Sequence, residues 1–179
     1  MFSLMDEPWS LWILRVWRER KKEILEWTVV GTIVGLVLVG LAYPAEGFLS
    51  AVWLLAGTGV LLVTTHGLAH LVVGAISGIK FTAWFIGTIQ MPQPGVKTDY
   101  ATYLRTPATS RAWMHASGAI TTKLMPFLML GAGAAADVPA WALLVLIAIG
   151  VVTIITDILW SSSASDWKKF KREMDFAQS

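Results

Sequence analysis

Residues 47–79 read GFLSAVWLLAGTGVLLVTTHGLAHLVVGAISGI, bounded by Glu46 and Lys80 and without an Asp, Glu, Lys or Arg between them. A hydrocarbon core about 30 Å thick takes ~20 apolar residues as a helix. This run is long enough for a tilted span with an extra turn or two. Within it stand two ionisable side chains, His66 and His70. Ionisable groups inside a membrane are costly and rare, so each needs a reason. At i, i+4 the two imidazoles lie on one helical face, one turn apart.

The rest of the chain agrees with this reading. An ordinary soluble domain is roughly 45–50% apolar and about 25% charged. This chain of 179 residues is 55% hydrophobic and 15% charged, with a mean hydropathy of +0.62. The absence of cysteine excludes disulfides and thiolate metal sites. A net charge of +2 is too small to point to nucleic acid. The uncharged run between Glu26 and Glu46 gives another span. Two more carry a single charge each, Lys123 and Asp157. Spans are therefore expected at about 27–45, 49–78, 113–136 and 139–161. The predicted fold is an all-α integral membrane protein with four transmembrane helices, a small β-rich segment on the cytoplasmic side and a surface amphipathic N-terminal helix.

The flanks complete a three-part organisation: an arm over 1–26, a four-span membrane domain over 27–161 and a basic tail over 162–179. The arm is acidic early and lacks an uninterrupted apolar core, so a cleavable signal peptide is not expected. Its residues 9–26 place Trp9, Trp12, Ile13, Val16 and Trp17 near one face, as in a helix lying on a leaflet or extending the first span. In the insert over 79–112, IKFTAWFIGTIQM suits strands. Residues 92–111, with three prolines and many Ser and Thr, suit a loop. Ser165 or Asp166 can cap a short basic helix in the tail. Every basic residue except Lys123 falls in the arm, the insert or the tail, which puts both termini in the cytoplasm.

Two His at this spacing can share a metal such as Zn²⁺. A third ligand is then needed, and Asp157 is the carboxylate available inside a span. It follows the start of its span near Ala140 by as many residues as His66 follows Leu49, so both lie at similar depth. Other readings stay open. Each His can bond a neighbouring helix or ligate haem or chlorophyll, and Asp157 can pair with Lys123. His115 reads as an interfacial residue, and neither Asp99 nor Asp166 has a spacing that puts it at the site. The Gly residues of the spans suit close helix packing, within the chain or in an oligomer or larger complex.

At these residues the chain resembles the site-2 protease family of intramembrane metalloproteases. HGLAHLVVGAISGIKFTAWFIG is similar to the family's His-bearing helix running into Gly and strands. RAWMHASGAITTKLM resembles its Gly-Pro-x-x-Asn region, with Gly118 at the Gly, and IITDILW resembles the segment with the Asp ligand. The likeness covers roughly residues 49–165. It implies that His66, His70 and Asp157 hold Zn²⁺, and that a membrane-protein segment or peptide is bound from within the bilayer. Gly67 stands where the family has its general-base Glu, Thr122 where it has Asn, Ala119 where it has Pro and Ile158 where it has Gly. Proteolysis is therefore expected to be weak or lost, with Lys123 and Thr122 as the remaining polar contributors. The second reading is a structural or pigment-binding subunit of a membrane complex, with His66 or His70 as axial ligand. Without native Cys, a Cys introduced at Lys97 should label with an impermeant reagent in broken cells. Labelling of intact cells would reverse the orientation.

Overall fold

The computed structural model describes residues 23–86, 94–159 and 165–178. Helix α1 covers Glu23–Leu41 and α2 covers Gly47–Ile76. Strands β1 (Phe81–Ile86) and β2 (Pro94–Thr98) pair antiparallel, from Phe81 opposite Thr98 to Ile86 opposite Pro94. A short helix α3 (Tyr100–Arg105) leads into α4 (Ala108–Ala135), α5 (Ala140–Leu159) and α6 (Asp166–Gln178). Helices dominate, with the one small sheet beside them. Among the described residues α2, α4 and α5 are long and apolar enough to cross a membrane, and Trp27–Leu41 in α1 is a shorter apolar helix. At ~1.5 Å per residue, the 30 residues of α2 reach well beyond a hydrocarbon core about 30 Å thick.

Local chemistry sets the ends. Gly78, at φ +84°, closes α2, and Ile79 N–H donates to the Gly74 carbonyl at 2.9 Å. Asp137, at φ +51°, closes α4 just before Pro139, and Val138 N–H donates to Gly133 O at 3.0 Å. Aspartate tolerates this left-handed conformation better than most residues. Lys168 N–H donates to Ser165 Oγ at 3.3 Å at the start of α6.

The region 92–111 differs from the loop expected there. It contains β2 and α3, because β1 needs a partner for its backbone groups and Asp99 caps the next turn. Pro94, which lacks an N–H, stands at the end of β2, where that loss costs least. The Asp99 carboxylate accepts from Thr102 N–H at 2.9 Å. That hydrogen bond outweighs burial and holds the Asp99 carboxyl below the usual range. Residues 1–22, and most of the amphipathic arm with them, lie outside the described residues, while 23–26 open α1.

Helix α2 is central, packed on α1 and on α4, and α4 in turn carries α5 and α6. The interior is built from Val39, Leu54, Leu61, Met125, Ala142 and Leu146. Residues such as Ile33, Leu144, Val152 and Ile158 point outward and suit hydrocarbon. Glycines set the closest crossings. A Cβ at Gly57 would stand 2.8 Å from both Gly35 O and Val39 N of α1, and one at Gly133 would stand 2.6 Å from Leu143 Cδ2. Gly57→Ala should therefore push α1 off α2 and cost about 1–3 kcal/mol. Gly59→Ala, with nothing within 4 Å of the new atom, should be neutral or mildly stabilising. Thermal unfolding of the two variants in detergent checks the contrast.

Candidate metal centre

His66 and His70 lie in the C-terminal half of α2, on the face that meets α4. Their Nε2 atoms are 3.2 Å apart. The carboxylate that joins them is Asp166, from the first turn of α6. Its Oδ2 lies 3.3 Å from His66 Nε2 and 3.1 Å from His70 Nε2. Among the described residues His66, His70 and Asp166 form a group that could hold a metal ion. Three ligand atoms on a tetrahedral ion with bonds of ~2.0–2.1 Å stand ~3.3 Å apart. The separations fit that figure before any ion is considered.

The outer hydrogen bonds place a hydrogen on Nδ1 of each ring. His70 Nδ1 lies 2.6 Å from the Met114 carbonyl, which can only accept, so Nδ1–H donates. His66 Nδ1 lies 2.8 Å from Thr122 Oγ1, and that hydroxyl gives its own hydrogen to Gly118 O at 3.0 Å. The hydroxyl must then accept from His66 Nδ1–H. If each ring holds only that one hydrogen, a bare Nε2 faces the carboxylate oxygen. Three lone pairs facing one point repel unless a cation, metal or proton, sits among them. Partners of this kind orient ligating histidines in metal sites. Burial by itself would raise the Asp166 carboxyl, while the Lys169 ammonium, 3.2 Å away, favours its charged form.

Gly118 makes room for this packing. A Cβ there would collide with the His70 imidazole, so the absence of a side chain at Gly118 lets that ring lie against α4. Thr122, expected as a polar contributor, acts by anchoring His66.

Asp157 is not brought to the histidines. It pairs with Lys123 across α4 and α5, with Nζ to Oδ2 at 2.6 Å. Depth was the argument for Asp157, yet a carboxylate in apolar surroundings goes to the nearest cation, and Lys123 projects from the adjoining helix. Asp166 escaped the spacing argument because it lies beyond the last span. Its signal was the stripe Asp166, Phe170, Glu173 at i, i+4, i+7, which puts two carboxylates and a ring on one side of α6. That side docks on α4. Glu173 Oε2 meets Arg111 Nε at 2.8 Å, and Phe170 meets Trp113 with ring centroids 5.6 Å apart.

Gly67 is buried and turned to α1. A Cβ there would be 3.4 Å from Thr28 Cγ2, so position 67 faces away from the three ligand atoms. His115 stands behind Asp166, with Nδ1 3.9 Å from Oδ1. Comparison of the chain with family models, curated proteins and solved structures gives no match.

Thr122→Val removes the acceptor that fixes His66 and should weaken metal binding by about 10–100-fold, whereas Thr122→Ser should keep most of it. Competition with a chromophoric chelator measures both. Gly118→Ala should displace the His70 ring and lower both metal affinity and the unfolding temperature.

Proposed function

We propose that this chain is a four-span membrane metalloprotein in which His66, His70 and Asp166 hold a zinc ion. In layout it is akin to the site-2 intramembrane proteases, and it is slow or inert toward peptides. The observation that carries the reading is the meeting of two imidazole nitrogens and one carboxylate oxygen, mutually 3.1–3.3 Å apart. Two nitrogens and one oxygen suit Zn²⁺, and three protein ligands leave a fourth position open, as in hydrolytic zinc sites. A bound zinc ion would supply Lewis acidity there.

Position 67 supports the slow-hydrolysis part. Gly67 has no group to take a proton, and its Cβ direction leads to Thr28 rather than to the ligands. General-base help is worth about 10²–10⁴-fold, so a centre without it would turn over little. Binding a membrane-protein segment or peptide is then the more durable activity. The pigment reading has less support, because an axial ligand must face a macrocycle and each Nε2 here faces the other ring and Asp166.

In this proposal α1 is the fourth span and both termini are cytoplasmic. The centre then lies near the cytoplasmic end of α2. The basic side chains Lys168, Lys171 and Arg172 on α6 suit the inner leaflet beside it.

Metal analysis of the purified full-length protein tests the centre. Zinc should be stoichiometric in the wild type, and lost from His70→Ala and Asp166→Asn. Asp157→Asn should keep its zinc while unfolding at lower temperature, since it leaves Lys123 without its carboxylate. An Asp157→Asn protein that loses zinc, beside an Asp166→Asn protein that keeps it, would sink this assignment. Incubation with transmembrane-segment substrates should give little cleavage, and robust chelator-sensitive cleavage would contradict the inert reading.

A further inference from the structure

The third histidine of the chain, His115, is tied down from outside in the way that the two ligand candidates are. Its Nε2 is 3.0 Å from the Tyr103 hydroxyl, and that hydroxyl donates its hydrogen to Glu173 Oε1 at 2.8 Å. Glu173 is buried and ion-paired with Arg111, whose guanidinium also lies over the Tyr103 ring at 5.1 Å. A phenol whose hydrogen is already committed can only accept. His115 Nε2 therefore carries the hydrogen, and Nδ1 is left with a lone pair.

That lone pair is on the side of the centre. Nδ1 is 3.9 Å from Asp166 Oδ1, too far for a hydrogen bond, and both atoms are acceptors. The other neighbour of Oδ1 is Lys169 Nζ, at 3.2 Å. The three ligand atoms of His66, His70 and Asp166 lie within 4.8 Å of one another, a set that His115 does not join. His115 thus stands one step back from the ligand candidates, with an acceptor that meets no hydrogen-bond donor among the described residues. A small molecule with a hydrogen to give, seated between them, resolves the mismatch.

We propose that His115 Nδ1 accepts a hydrogen bond from the molecule that takes the open position beside His66, His70 and Asp166. The centre thereby selects oxygen ligands carrying a donor hydrogen, such as water or a hydroxamic acid, over bare anions. The inference rests on the metal reading above. Position 67 cannot play this part, since its Cβ direction leads to Thr28. His115 comes from α4, the helix that also anchors both ligand histidines, so its placement is rigid relative to theirs.

The test uses full-length protein loaded with Co²⁺ in detergent, whose visible spectrum reports ligands entering the open position. Acetohydroxamic acid and azide are titrated into the wild type, His115→Leu, His115→Asn and Tyr103→Phe. Cobalt uptake should be equal in all four. Acetohydroxamic acid should bind ~10-fold more weakly to His115→Leu, the loss of about one hydrogen bond, while azide is unaffected. His115→Asn should recover most of the affinity, because its amide oxygen reaches close to the place of Nδ1, and Tyr103→Phe should show a smaller loss.

Loss of cobalt from the His115 variants would make His115 a ligand and overturn the proposal. So would equal weakening of both probes, or no weakening of either. If His115→Leu does not fold, the contrast between the two probes in Tyr103→Phe and His115→Asn decides the matter. A wild type that takes up no cobalt defeats the metal reading itself and the proposal with it, an outcome distinct from a loaded centre indifferent to residue 115.

Discussion

Two imidazole nitrogens and a carboxylate oxygen meet within 3.3 Å of one another. Three acceptors at that range need a cation, a metal ion or a proton, among them. The arrangement is held from outside, by the Met114 carbonyl on His70 and by Thr122 on His66. Three separate helices supply the pieces: α2 the rings, α4 their anchors and α6 the carboxylate. The helix packing can be read as the frame that this convergence requires. Gly118 lets the His70 ring lie against α4, and the Gly35–Gly57 crossing sets α1 against the opposite side of α2.

Much of this frame is legible in the residues. Uncharged runs located the long helices, because hydrocarbon-length apolar stretches have few other uses. The i, i+4 histidines announced a shared face. The carboxylate that joins the histidines was not legible by depth. Position along a span says nothing about rotation around it, and the rotation of Asp157 brings it to Lys123. Asp166 was hidden for another reason. It belongs to a short polar helix whose sequence looks like a solvated tail, and its role depends on docking against α4. Strand β2 and helix α3 were hidden by their prolines and threonines, which read as loop until Asp99 and the pairing with β1 are taken into account.

The polar interior is layered. Closest in are the three ligand atoms. Behind them stand Thr122, the Met114 carbonyl and His115, and behind His115 the Tyr103–Glu173–Arg111 chain. Burial and Glu173 both push the Tyr103 phenol up, so it keeps its hydrogen and passes a fixed polarity inward to His115. The Lys123–Asp157 pair is a separate device, joining α4 to α5. One pair of charges thus joins two helices, while the His66, His70 and Asp166 group could hold a metal ion.

The placement of Asp166 on α6 also sets an order in time. It is synthesised 96 residues after His70, which at ~5–20 residues per second is a delay of roughly 5–20 s. During that interval α2, α4 and α5 can pack, while the two imidazoles wait without their carboxylate. Under the metal reading proposed above, an ion captured early would have only two protein ligands and a weak hold. Firm capture would come when α6 folds back onto α4. Loading of the centre would then report that the helices before α6 are already in place.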